Sequence, residues 1–304
     1  MADKVRFATV VRPGALTTFQ DSGRPGLAHL GVPRSGALDI KSYCLANRLV
    51  GNTSGSTVLE TTFDGVSLRF ASPALIAVTG ALADVKVNDQ AVGWSMPVYV
   101  GQGARLDVDA AKVGLRSYVA VAGGFQVAPV LGSCSRDLLS GLGPPPLVAD
   151  ELIEIGPSST IAPSVDFAPY LSLGNSPVLT VHPGPRRNWL TEQAEHDLFS
   201  QHYQVLPESN RIALRLKGHP IERRYHEELA SEAVVWGAME LLPTGEVVVF
   251  LADHPTTGGY PVVGVIDESL ASLCAQLRSG DEVRFARTRS WGTSNGSDFK
   301  TLPL

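Results

Sequence analysis

Short runs of β-branched and aliphatic residues, each cut off by glycine, proline or asparagine, dominate the chain. Val5 to Val11, Leu75 to Val78, Val98 to Val100, Tyr118 to Val121, Val178 to Val181, Ile212 to Leu216, Val247 to Leu251 and Val262 to Ile266 all predict strands. Pro-Gly, Asn-Asp, Gly-Gly and Thr-Gly pairs between them supply the turns. A helical period shows in few places. Leu38 to Leu49 sets Leu38, Tyr43, Leu45, Ala46 and Leu49 on one face, with Asp39 near its start and Gly51-Asn52 beyond its end. Leu190 to Tyr203, which opens on Thr191-Glu192, and the short stretch Glu268 to Leu277 predict two more helices. Many strands with a few short helices predict a mainly β fold of barrels or sandwiches, not a doubly wound parallel sheet.

The pattern also repeats weakly. Val11-Arg12-Pro13-Gly14 is echoed by Val181-His182-Pro183-Gly184, Thr62 to Gly65 by Arg215 to Gly218, Val98 to Gly101 by Val234 to Gly237, and Asp150 to Leu152 by Asp281 to Val283. The order is kept while the spacing shrinks, as a duplication would leave if the first copy carried extra loops. The predicted organisation is a first β-barrel over 1–165, a linker over 166–177, a second β-barrel over 178–290 and a tail over 291–304. The longest extra piece of the first copy runs from Asp21 to Ser56, and the densest loop of the second from Ala252 to Pro261. Loops on a rigid scaffold are where binding groups usually sit.

With 304 residues, 44% of them hydrophobic and 18% charged, the chain has material for two ordinary cores. Its net charge of -5 is spread without blocks, which leaves no basic footprint for nucleic acid and no polybasic patch for a membrane. Cys44, Cys134 and Cys274 stand far apart, unlike a disulfide framework or a cysteine-built zinc site. The first residues lack the apolar core of a signal peptide, so the cytoplasm is the expected location.

Common catalytic signatures are missing. The sequence holds no Gly-x-x-x-x-Gly-Lys phosphate loop, no Gly-x-Ser-x-Gly elbow, no His-Glu-x-x-His and no Met-Lys-Met biotin-attachment site. No metal site is evident. ATP or biotin, if used, would draw much of its binding from elsewhere.

Two polar loops remain. After the predicted strand Val247 to Leu251, Asp253 precedes Thr256, Thr257, Gly258, Gly259 and Tyr260. The carboxylate has the chemistry to accept a proton or orient a water, and glycine N–H groups can face an oxyanion closely. A glycine-rich turn in which Asp253 caps its own backbone fits the same residues. In the other loop, Gln20, Asp21 and Arg24 offer an amide, a carboxylate and a bidentate anion clamp, or equally a buried structural Arg–Asp pair.

Thr18-Phe19-Gln20-Asp21-Ser22-Gly23-Arg24, Gly31-Val32-Pro33, Ser35-Gly36-Ala37-Leu38-Asp39, Ala46 to Asn52 and Leu59-Glu60 resemble the KipA family. Tyr118 to Gly124, Leu131-Gly132-Ser133 and Ala252 to Pro261 continue the likeness over nearly the whole chain. That family takes in the C-type subunit of 5-oxoprolinase, proteins called allophanate hydrolase subunit 2, and the biotin-dependent carboxyltransferase segment (subdomains A and B) of urea carboxylase. Met239-Glu240 stands where Ile-Gln is common in it, and Pro255 where Gln is common.

The resemblance implies two tandem cyclophilin-like β-barrels. It also implies a KipI-like partner (allophanate hydrolase subunit 1, or the B-type subunit of 5-oxoprolinase) and a lactam-utilisation partner, the A-type subunit. The implied substrates share a planar N–C=O group. One branch opens the lactam of 5-oxoproline with ATP, and the other passes a carboxyl group from carboxybiotin to urea. A third, non-catalytic role is the sequestering of KipI-like kinase inhibitors. For either reaction, Asp253 is expected as base or orienter, with donors from Gly258 and Gly259. Asn47 is expected to bind the substrate amide, Gln20, Asp21 and Arg24 to shape the site and hold an anionic group, and Thr256, Thr257 and Tyr260 to complete the substrate contacts. Asp253→Ala is then expected to abolish turnover without unfolding the protein.

Overall fold

The computed structural model describes residues 6–157 and 176–292. The expected linker falls almost wholly outside the described residues, as does most of the C-terminal tail. The fold is mainly β, and the described chain divides into two units. Unit 1 takes in the residues up to 157 together with Ala271–Arg278, and unit 2 holds the remainder from 176 onward.

In unit 1, two sheets enclose a core. The larger runs in the order Phe125–Gln126, Leu152–Ile155, Arg6–Arg12, Val66–Phe70, Arg105–Val108, Val85–Val87, Gln90–Val92. The smaller runs Leu16–Gln20, Val58–Thr62, Val113–Val121, Ala74–Leu82, Pro97–Val100. Alternation along the smaller sheet sorts its side chains. Phe19, Leu59, Ile76, Val78 and Val119 enter the core between the sheets, which Val10, Leu68, Phe70, Leu106 and Val108 fill from the other side. Val58, Ala77, Tyr118 and Ala120 point the opposite way, against helix α1, Ile40–Leu49, whose Tyr43, Ala46 and Leu49 are buried there. Asp39 caps that helix by accepting from the Ser42 N–H at 3.0 Å.

The α1-facing side of this sheet also buries polar groups. Tyr118 donates to Glu60 Oε2 at 2.8 Å, and the same carboxylate accepts from the Leu38 N–H at 3.0 Å. Into this layer reaches a short helix of the second sequence half, which the sequence reading places in the second barrel. Its Gln276 accepts from the N–H groups of Leu115 and Arg116 at 2.8 and 3.0 Å, and donates to Asp39 Oδ2 and the Arg116 carbonyl, both at 2.9 Å. One amide thus satisfies four groups, which places Ala271–Arg278 in unit 1. Gln276→Leu leaves all four without that partner, and a loss of about 2 kcal/mol in urea unfolding is expected.

Unit 2 is a closed seven-stranded barrel: Val178–Pro183, Val262–Ile266, Ala238–Leu241, Val247–Phe250, Ala213–Lys217, Tyr203–Val205 and Glu282–Arg287, which returns to the first strand. Ala238–Leu241 and Val247–Phe250 are buried on both faces, in keeping with their almost unbroken apolar sequence. Helix α2, Glu192–Ser200, is capped by Thr191, which accepts from the Ala194 N–H at 3.0 Å. A two-stranded ribbon, Glu232–Ala233 with Thr257–Gly258, stands apart from the barrel sheet. The weak repeat is not mirrored throughout. The strand begun near Asp150 pairs antiparallel with the first strand of unit 1, whereas the one begun near Asp281 pairs parallel with the first strand of unit 2.

Candidate functional site

The loop after Val247–Phe250 is held at its root by an ion pair. Asp253 is fully buried and Arg211 is 1% exposed. The guanidinium donates through Nε to Asp253 Oδ2 at 2.8 Å and through Nη2 to Oδ1 at 3.0 Å. The Asp253 N–H returns to the Arg211 carbonyl at 3.0 Å, and the Leu251 N–H bonds the Ile212 carbonyl at 2.8 Å. Both carboxylate oxygens are therefore engaged by a cation in the interior. Protonation of Asp253 would leave the buried guanidinium without its charge partner, a cost that bears on the base role and not on the orienting one.

Beyond Asp253 the loop rises to the surface. Thr256 is half-buried, Gly258 likewise, and Thr257, Gly259 and Tyr260 are exposed. The two glycines part ways. Gly258 lies in register with Glu232 in the ribbon, two residues along from the bond between the Val234 N–H and the Thr256 carbonyl, so its N–H faces the ribbon partner. Gly259 has open space, with only the Leu229 carbonyl 3.9 Å from where a Cβ would stand. Gly258 is needed for a different reason: a Cβ there would fall 2.0 Å from Glu240 Oε1. An Arg186–Glu232 ion pair braces the ribbon strand beneath it. A cleft of about 390 Å³ lies beside Arg186, Arg187 and Asn188, but its Arg186 and Arg187 are spent on Glu232 and Glu195.

Glu240 stood out in the sequence only as a departure from the Ile-Gln common in the resembling family, not as a site residue. It stands between fully buried Met239 and Leu241, is 4% exposed, and its Oε1 has no hydrogen-bond partner. Burial pushes its carboxyl up to about 7, against a smaller lowering by the Tyr260 N–H that bonds it. Near neutrality it stands poised between acid and carboxylate. The signal available in the sequence was the glutamate itself, set inside an apolar strand.

The remaining expected residues belong to unit 1. Asp21 organises its loop: Oδ1 accepts from the Gly23 N–H at 2.7 Å and from the Ser133 and Ser135 hydroxyls, both at 2.6 Å, and Oδ2 accepts from the Cys134 N–H at 2.7 Å. It makes no ion pair with Arg24. Arg24, 2% exposed, donates through Nε to the Val130 carbonyl at 3.3 Å and through Nη2 to the Ser135 carbonyl at 2.5 Å, and its Nη1 has no partner. Gln20 gives Nε2 to Thr18 Oγ1 and the Arg136 carbonyl, both at 3.0 Å, and leaves Oε1 unpartnered.

Asn47 closes the end of α1: its Nδ2 donates to the Ser56 carbonyl at 3.0 Å and its Oδ1 accepts from Asn52 at 2.9 Å. Among the described residues, no cluster of three His, Cys, Asp or Glu side chains is arranged to hold a metal, and no helix is long and apolar enough to cross a membrane.

Residues 30–287 match the family described as carboxyltransferase domain, subdomain A and B. The chain belongs to that family. It is 34% identical to the C-type subunit of 5-oxoprolinase from Escherichia coli over 283 residues, covering 91% of this chain and 90% of that protein. Urea amidolyase of Lachancea kluyveri is 31% identical over 91% of the chain, which spans 16% of the amidolyase. Among solved structures, TTHA0988 superposes with a TM-score of 0.85 at 31% identity, over 93% of this chain and 56% of that one. The K. lactis urea amidolyase superposes with a TM-score of 0.87 at 29% identity, over 94% of this chain and 19% of that one. The carboxyltransferase-type fold thus occurs both as a protein of about this length and as a segment of much longer chains.

Proposed function

We propose that the chain is the C-type subunit of an ATP-dependent 5-oxoprolinase, a hydrolase of a cyclic amide that works as a complex with a KipI-like B-type subunit and a lactam-utilisation A-type subunit. The observation that carries this reading is the similarity to the E. coli 5-oxoprolinase component, 34% identical over 283 residues, against 31% for the Lachancea kluyveri amidolyase. Opening a lactam needs donors for the carbonyl oxygen and a group that manages the proton at nitrogen or at the attacking water. On this reading Gly259 and the exposed rim of Thr257 and Tyr260 face the substrate, Asp253 and Arg211 fix the loop beneath them, and Glu240 is the nearby group able to exchange a proton near neutrality.

Carboxyl transfer from carboxybiotin to urea is the second reading, favoured by the family's carboxyltransferase description and by the urea amidolyase relatives. Co-expression with the partner subunits separates the two. ATP hydrolysis that rises with 5-oxoproline and not with urea is the expected result. Biotin-dependent carboxylation of urea would replace the first reading with the second.

A further inference from the structure

Two opposite charges in the wall of one unit 2 cleft, Arg224 and Glu192, have no counter-ion among the described residues. The cleft, about 390 Å³ in volume, is lined by the loop after Val178–Pro183, by the start of helix α2 and by Arg224. Five ionisable side chains line it. Arg186 pairs with Glu232 of the ribbon, and Arg187 pairs with Glu195 at 3.0 Å. That leaves Arg224 and Glu192, which do not pair with each other and are both exposed. Asn188, also exposed, adds an amide to the same wall. Charges on an open surface are met by water, whereas charges in the wall of one cleft can be met by a single small molecule.

Both charges stand on fixed backbone. The Gly184 N–H bonds the Val263 carbonyl at 3.0 Å and the Arg186 N–H bonds the Val262 carbonyl at 2.9 Å, which pins the loop to a barrel strand. Only glycine allows that approach, since a Cβ at Gly184 would fall 2.4 Å from the Val262 carbonyl oxygen. The Arg224 N–H bonds the Trp189 carbonyl at 2.8 Å, and the neighbouring Arg223 guanidinium lies over the Trp189 ring at 4.9 Å. Glu192 is the first residue of α2, fixed by the Thr191 cap. A site held in place before its ligand arrives loses less freedom on binding.

We propose that this cleft binds a small zwitterionic amino acid, whose carboxylate meets Arg224 and whose ammonium meets Glu192. A guanidinium fork matches a carboxylate in shape and charge, and Asn188 can donate or accept beside it. A lactam acid does not fit, because its amide nitrogen takes no proton and leaves Glu192 without a counter-charge. The cleft therefore selects an open amino acid over a cyclic amide, and it shares no residue with the Thr257–Tyr260 rim. The inference stands on the cleft's own charges and goes beyond the 5-oxoprolinase reading, under which such an amino acid is the product.

Calorimetric titration of the full chain tests the site without requiring turnover. The probes are glycine and L-glutamate, which carry both charges, N-acetylglycine, which keeps only the carboxylate, and glycinamide, which keeps only the ammonium. Both amino acids are expected to bind, and each single-charge probe about 10-fold or more weakly than glycine. Arg224→Met and Glu192→Gln are each expected to weaken binding of the two amino acids about 10-fold or more. Their Tm is expected to match wild type, since both side chains are exposed and unpaired. Any binding of 5-oxoproline is expected to be the same in wild type and both variants. Equal amino-acid affinity in wild type and variants, or N-acetylglycine binding as tightly as glycine, would overturn the site. So would the absence of binding by either amino acid at millimolar concentration. L-glutamate binding that the variants lose, in a protein whose co-expressed complex shows no ATP-linked turnover of 5-oxoproline, would uphold the site and remove the oxoprolinase reading. Turnover without amino-acid binding would do the reverse.

Discussion

Asp253→Ala is expected to unfold unit 2 rather than to silence an intact enzyme. The substitution removes the carboxylate that pairs through both its oxygens with Arg211, a guanidinium 1% exposed, and an uncompensated buried charge typically costs about 3–5 kcal/mol. Against a total stability of roughly 5–15 kcal/mol, that is a large share. Urea or thermal unfolding followed by circular dichroism measures it directly. Asp253→Asn tests the charge at nearly constant shape and is expected to lose most of the same amount. Removing both charges in Arg211→Met with Asp253→Leu is expected to recover much of it, because apolar groups of similar volume often replace a buried pair without loss. A wild-type Tm for Asp253→Ala, combined with lost turnover in the complex, would instead return Asp253 to the chemistry.

The same pair shows where sequence reading reached its limit. Asp253 sits in a loop rich in glycine and hydroxyls, where a carboxylate suits catalysis and structure equally. Its partner Arg211 lies 42 positions away in sequence, one residue before a predicted strand. No local pattern couples the two, and only closure of the barrel brings them together. Asn47 is similar: its amide chemistry was visible, but its partners Ser56 and Asn52 carry no mark in the sequence.

The eight strands read from β-branched runs are all present within a few residues of their predicted ends, because those runs fill the two cores. Strands such as Leu16–Gln20 and Val58–Thr62 escaped because one face of each is polar and buried, carrying Thr18, Gln20 and Glu60. That departure from apolar-in, polar-out alternation marks the face where α1, Gln276 and the Arg24 loop gather. Helix α1 was legible through its cap and apolar stripe, whereas the place of Ala271–Gln276 in unit 1 depends on Gln276, which has no sequence signature.

Glu240 makes stability depend on pH in a direction opposite to that of most carboxylates. In the folded chain its carboxyl titrates at about 7, whereas the ordinary value is 4.5. Between those two pH values the unfolded chain has released the proton that the folded chain still holds. Unfolding is then favoured as pH rises, and the penalty is complete above about 7 and absent below 4.5. A shift of this size corresponds to about 3 kcal/mol. Glu240→Gln keeps the shape and the bond from the Tyr260 N–H but cannot ionise, so it is expected to stabilise the protein by up to that amount at pH 8 and by almost nothing at pH 4. Urea midpoints of both proteins across this range provide the measurement, and parallel curves would show that the carboxyl is not held neutral. No charged side chain contributes to the shift, which arises from burial against a partial offset by one backbone N–H. The cost is retained in a strand whose neighbours are apolar and beside a glycine whose missing side chain makes room for the carboxyl. Stability alone would favour glutamine at this position above neutral pH, the residue that the family resemblance makes common there.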